Sequence, residues 1–226
     1  MAPPVVLVPG FATSAARTWS DNGWVDLLAD MGRTALPLDV LGSGTAEKPH
    51  SPEDYAEFEQ HLLDRFPDEP VDGIGFSLGA RTLLVLAALH PDRFNSLIVA
   101  GVGRNLFERD GTGESIASAI DGSGDADDPI VRYFVQLAEA PDQDPRALAA
   151  FMRRPNGITM TPEFLSTITC PVLVVLGDKD FAGPADPLLE ALTDARLVTL
   201  RNVDHFATPK DFGFIDAALD FLAASH

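Results

Sequence analysis

The chain holds one cysteine, Cys170, among 226 residues. It therefore has no internal disulfide and no thiol companion for a zinc site. Cys170 precedes Pro171 at the start of an apolar run, the setting of a buried structural thiol rather than of a nucleophile. Basic residues are scarce too: 16 Lys and Arg face 34 Asp and Glu, for a formal charge of −18. That balance argues against nucleic acid and anionic membrane as partners and, beyond solubility, says little about the small-molecule substrate expected below. No apolar run approaches the roughly 18 to 20 residues that span a bilayer. The opening "MAPPVVLVPG" lacks a basic flank and its apolar run is too short for a signal peptide, so it reads as the first strand of a cytoplasmic protein. "DVLGSG" lacks the lysine and glycine spacing of a phosphate loop, and no G-x-G-x-x-G follows a strand. Asp121, Asp125, Asp127 and Asp128 lack the spacing and terminal glutamate of a calcium loop, which leaves a solvated acidic loop. Neither a metal nor an organic cofactor is expected.

What is present is a globular composition, 46% hydrophobic, of a length that one domain over residues 1–226 accommodates. Short apolar runs recur: Val5 to Val8, Thr34 to Val40, Val71 to Phe76, Ser96 to Gly101, Val172 to Gly177 and Ala195 to Leu200. Near-continuous apolar strands are what a parallel sheet covered on both faces requires. Helical patterns fall between them, over Asp21 to Met31, Ser51 to Phe66, Leu78 to His90, Pro184 to Leu192 and Lys210 to Ala224. The alternation predicts an α/β domain with a doubly wound, mostly parallel sheet of about six strands. One segment, at about 104–168, breaks the rhythm. It contains the loop-like "DGTGES" and "DGSGDADDP" and the helix-like "IVRYFVQLAEA" and "PRALAAFMRR", and it predicts a helical lid inserted between two strands. Its Phe107, Ile130, Tyr133, Phe134, Phe151 and Met152 are candidates to line an acyl pocket, with ordinary core between lid and sheet the expected role for most of them.

Ser77 lies in G-x-S-x-G, after a strand and before a helix. That context is a nucleophile elbow, where small residues two positions either side let strand and helix backbones pass closely. A serine hydroxyl needs a base to take its proton, so a histidine must be available. His50 sits in a loop, His61 in a solvent-facing helical pattern, His90 before Pro91 and His226 at the end of the sequence. His205 alone follows a strand on the edge where Ser77 belongs, in "NVDHFATP". A carboxylate must then fix the imidazole. "GDKDFAG", after the strand from Val172, offers Asp178 and Asp180, and position alone does not separate them.

The order serine, aspartate, histidine matches the α/β-hydrolase family, which the chain resembles over nearly its whole length. "LVPGFATS" resembles that family's oxyanion segment, "PLDVLGSGTAEKP" its D-x-x-G-x-G-x-S-x-x-P stretch and "LGDKD" its acid loop. The resemblance implies Asp180 as the triad acid and the backbone N–H groups of Phe11 and Leu78 as the oxyanion hole. Pro9, Phe76 and Ser43 stand where the family often has histidine, and its two opening antiparallel strands are missing. The implied activity is that of a cytoplasmic serine esterase acting on a small, apolar substrate through an acyl-enzyme. The same fold also hosts C–C bond hydrolases, perhydrolases and lyases, and a non-catalytic ligand receptor is a further alternative. A charged group reaching into the pocket from the lid, such as Arg104 or Arg132, would favour the other chemistries.

Overall fold

The structure, a computed structural model, describes residues 2–108, 112–155 and 157–224. Six strands form one sheet: β1 (Val5–Val8), β2 (Ala35–Pro37), β3 (Val71–Phe76), β4 (Phe94–Ala100), β5 (Val172–Gly177) and β6 (Ala195–Leu200). Their spatial order is β2-β1-β3-β4-β5-β6, and every neighbouring pair is parallel. The two antiparallel opening strands are absent from this sheet, in line with "VVLV" being its first strand.

Strand periodicity divides the interior in two. Val6 and Val8 face a core with α2 (Phe58–Leu63) and α3 (Leu78–Leu89). Val5 and Leu7 face the opposite core, built from α1 (Trp24–Asp30), Trp19 and α9 (Phe212–Ala224). Alternate side chains of one strand point to opposite faces, so both faces must be covered by helices. α3 is buried on most of its circumference because the sheet lies on one side and the inserted helices on the other. On the far face Trp19, Trp24 and Phe214 meet edge-on or tilted, with Trp24 and Phe214 centroids 4.7 Å apart. Trp24 Nε1 also donates to Pro209 O at 2.8 Å, which ties α1 to the segment after His205.

The 104–168 segment leaves β4 and returns to β5 through four helices: α4 (Thr112–Ile120), α5 (Pro129–Ala138), α6 (Pro145–Met152) and α7 (Pro162–Leu165). Three of these begin with a side-chain cap followed by proline. Asp128 accepts from Ile130 N and Val131 N, Asp144 from Arg146 N and Ala147 N, and Thr161 from Phe164 N. Such caps satisfy amide groups that have no partner inside the helix, and proline fits the first helical position because its missing N–H is not needed there. The apolar faces of α4, α5 and α6 join the core above α3, with Ile116, Phe134, Leu148 and Phe151 all buried. α8 (Asp186–Ala191) follows β5.

Some boundaries differ from those the sequence pattern predicts. "DGTGES" has the pattern of a loop, but Thr112 to Ser115 form the first turn of α4; Asp110 and Gly111 lie outside the described residues. The strand expected over Thr34–Val40 shortens to Ala35–Pro37, after which Asp39 turns its carboxylate into a loop. The helix expected over Ser51–Phe66 splits into a 3₁₀ turn, Pro52–Tyr55, and α2. The buried Tyr55 accounts for the break: its hydroxyl donates to Pro49 O at 2.8 Å and lies 3.2 Å from Ala147 O, which holds that turn against the insertion. At the sheet's opposite end, buried Asp72 of β3 pairs with Arg33 and accepts from Ser96 Oγ at 2.6 Å. Among the described residues, no helix is long and apolar enough to cross a membrane.

Candidate active site

β3 ends at Phe76, and α3 begins at Leu78. Ser77 between them has φ 52° and ψ −110°, a conformation that side-chain-bearing residues rarely adopt. The neighbouring glycines explain how so sharp a turn is possible. A Cβ on Gly75 would lie 2.6 Å from Ala80 N, and one on Gly79 would lie 2.2 Å from Val8 O. Neither contact leaves room for a methyl group, so the close passage of α3 over β1 and β3 excludes every residue but glycine at both positions.

The structure brings Ser77, His205 and Asp180 together at the C-terminal edge of the sheet. His205 Nε2 lies 3.0 Å from Ser77 Oγ, and its Nδ1 lies 2.9 and 3.0 Å from the two oxygens of Asp180. With the proton on Nδ1 donated to Asp180, Nε2 is left to accept from the serine. Asp180 and His205 are both buried. Asp180 also accepts from Ala182 N at 2.8 Å, so its carboxylate is held from two sides. Asp178 lies elsewhere, accepting from Asn202 N in the neighbouring turn at 2.8 Å. Aromatic rings enclose the imidazole: the centroids of Phe76, Phe181 and Phe206 lie 4.8, 4.3 and 5.3 Å from it. The other described histidines are away from this cluster. His50 contacts Asp144 at 2.8 Å, His61 lies in α2 and His90 ends α3, while His226 is outside the described residues.

Phe11 and Leu78 flank Ser77 in the same cavity wall. Leu78 is the first residue of α3, where an amide has no intrahelical acceptor, and neither the Phe11 nor the Leu78 N–H donates to another described group. The loop carrying Phe11 is secured by Asp39, a residue to which the sequence pattern assigns no role. Asp39 accepts from Ala15 N at 2.7 Å and from Thr45 N and Oγ1 at 2.8 Å each. Its position in the D-x-x-G-x-G stretch was the available signal.

Ser77 lies at the junction of two cavities. The larger, about 850 Å³, runs under the insertion past Leu78, Phe107, Phe134, Phe151 and Met152. The smaller, about 290 Å³, is bounded by Thr13, Tyr133, His205 and Phe206. Phe11 and Phe134, with centroids 5.7 Å apart, belong to both walls. Ile130 packs against the core, as expected of the insertion's apolar residues.

The two arginines named from sequence point elsewhere. Arg104 pairs with Glu108 at 3.2 Å on the surface, and Arg132 donates to Ala126 O and Asp127 O. The larger cavity is lined instead by Arg81 and Arg154. Arg81 lies in the first turn of α3, and its N–H donates to Ser77 O at 3.0 Å, which places it near the serine. For Arg154, just past α6, no spacing gave a signal. Burial, together with neighbouring Arg81, pushes the Arg154 guanidinium down to about 10, with Glu59 opposing. The acidic loop after α4 serves the protein itself: Asp121 bonds Ser123 and Arg153, and Asp128 caps α5. Cys170 is buried, which raises its thiol to about 11 and away from nucleophilic use.

The sequence profile of the alpha/beta hydrolase fold matches residues 3–120. The chain is similar to 2-hydroxy-6-oxo-6-(2'-aminophenyl)hexa-2,4-dienoic acid hydrolase of Metapseudomonas resinovorans, at 25% identity over 97% of this chain and 84% of the relative. Among solved structures, it superposes on 2-hydroxy-6-oxo-6-phenylhexa-2,4-dienoate hydrolase from Rhodococcus sp. strain RHA1 with a TM-score of 0.69. Identity there is 20%, over 99% of this chain and 91% of that one. A marine microorganism esterase gives a TM-score of 0.66 at 20% identity, over 98% and 95% of the two chains.

Proposed function

The chain belongs to the α/β-hydrolase fold family, and from that premise we propose that it is a serine hydrolase cleaving a carboxylic ester or related acyl bond. The observation that carries this reading is the continuous hydrogen-bonded line from Ser77 Oγ through His205 to Asp180. In this mechanism Ser77 Oγ attacks the carbonyl carbon while His205 Nε2 takes its proton. Asp180 holds the imidazole in the required tautomer and stabilises the imidazolium. The amides of Phe11 and Leu78 receive the developing oxyanion. His205 then gives its proton to the leaving alkoxide, and the acyl group stays on Ser77. A water deprotonated by His205 attacks the acyl-enzyme, which releases the acid and restores the serine.

Ser77→Ala tests the assignment. It is expected to lower aryl-ester turnover by at least about a thousandfold, because nucleophile and base act as a unit. Near wild-type turnover in that variant would sink the reading. A serine-directed fluorophosphonate is expected to label the wild type and not the variant, which separates an enzyme from a ligand receptor.

A second reading keeps the triad and changes the bond. The Metapseudomonas relative is named for hydrolysis of a dienoic acid, which favours C–C cleavage as the alternative. Turnover of a 2-hydroxy-6-oxo-dienoate faster than of aryl esters would select it.

A further inference from the structure

We propose that the larger cavity contains a carboxylate-binding subsite, with Arg154 as its principal cation and Arg81 beside it, so that the substrate carries a free carboxylate remote from the bond cleaved. The inference rests on the hydrolase reading above and names its substrate class. Both arginines line the cavity that Ser77 opens into. The Arg154 guanidinium lies 3.8 Å from the Phe151 ring centroid and 5.5 Å from that of Phe58, so the flat fork rests on the Phe151 ring with Phe58 beside it. Its Nη1 donates to Phe151 O at 3.0 Å, and among the described residues it forms no ion pair.

Arg17, Arg33, Arg81, Arg104 and Arg153 each pair with a carboxylate. Of the described arginines without such a pair, Arg65, Arg93 and Arg132 bond to backbone carbonyls elsewhere, and Arg154 is the one that lines the larger cavity. Arg81 is shared: it lies 3.7 Å from Glu59 Oε1 and donates to Ile158 O at 2.5 Å. Glu108, at the same cavity wall, is neutralised by Arg104, so the two guanidinium groups and Glu59 leave a single positive charge, which suits a monoanion better than a phosphate dianion. Partly buried charge is costly unless compensated, and a bidentate carboxylate is the natural complement of a guanidinium fork. Because Arg81 lies one turn beyond Ser77, the carboxylate is separated from the scissile carbonyl by a spacer and is not attached to it.

The test compares 4-nitrophenyl hydrogen adipate with 4-nitrophenyl hexanoate, esters of equal chain length that differ in the terminal carboxylate. Wild-type kcat/KM is expected to favour the acid ester by about tenfold or more, with the advantage falling as salt rises. In Arg154→Gln the acid-over-neutral ratio is expected to fall at least about tenfold, chiefly through KM. Arg154→Lys, which keeps the charge without the fork, is expected to retain part of the preference and serves if the Gln variant does not fold. Equal wild-type rates on the two esters, or a ratio unchanged in the variants, would overturn the subsite and leave the esterase reading standing. If neither ester is cleaved, the esterase reading fails. Calorimetric binding of adipate then decides the subsite: binding weakened at least tenfold in Arg154→Gln supports it, and no wild-type binding refutes it.

Discussion

At the scale of single residues, the most telling one is Ser77, whose backbone has φ 52° while its Oγ lies 3.0 Å from His205 Nε2. A non-glycine residue in such a region costs on the order of 1–3 kcal/mol. Removing the hydroxyl leaves that cost in place, whereas removing the whole side chain relieves it. Ser77→Gly is therefore expected to be more stable than Ser77→Ala by about 1 kcal/mol, measurable by urea unfolding. Legibility at this scale followed chemistry. The elbow glycines, the loop histidine and the aspartate loop each carry a local pattern, so Ser77, His205 and the pair Asp178 and Asp180 were readable from residues alone. Choosing Asp180 needed the family resemblance, because both carboxylates lie on the same turn and differ only in direction. Arg81 and Arg154 escaped because they come to one cavity only in the tertiary fold, where the stretch after α6 is bonded to α3 through Arg81 and Ile158 O, which neither sequence stretch encodes.

The helices of the insertion show a different balance. The sequence pattern showed α5 and α6, whereas α7, despite its Thr-Pro start, went unread, as did α4, whose first turn "TGES" has the composition of a loop. Its stability comes from elsewhere: the buried face of Ile116 and Ile120, and Arg153, which reaches Glu114 at 3.0 Å and Asp121 at 2.6 Å. α6 depends on Asp144. Burial alone would raise this carboxyl, but His50 and the amides of Ala147 and Arg146 outweigh it and hold the group below the usual carboxylate range. A depressed folded value means that the cap contributes fully above the unfolded value of about 4 and is lost as pH falls through the folded one. Asp144→Ala is accordingly expected to cost about 1 kcal/mol at pH 7. Unfolding curves at lower pH should show that difference shrinking below about pH 4, with Asp144→Asn losing less than Ala throughout.

For the whole molecule, the strongest influence outside the core is charge. A formal −18 on a chain of this size makes the compact state repel itself, and screening relieves part of that. The thermal midpoint is expected to rise by several degrees between about 0.02 M and about 0.5 M salt, measurable by scanning calorimetry. A flat response would mean that local ion pairs, such as those of Arg153, already offset the repulsion. The sheet was legible at this scale because a strand buried on both faces can hardly be other than apolar, and its parallel, doubly wound character followed from strand–helix alternation, whereas its strand order did not. The shape of the cavities was not, since it depends on how four helices settle over α3. That arrangement has an evolutionary consequence. Ser77, Asp180, His205 and the Phe11 loop all come from sheet-edge segments, whereas Phe134, Phe151 and Arg154 come from the stretch between β4 and β5. In the mechanism proposed above, a lineage can therefore exchange or reshape that stretch and acquire a new diet while inheriting its reactive centre unchanged.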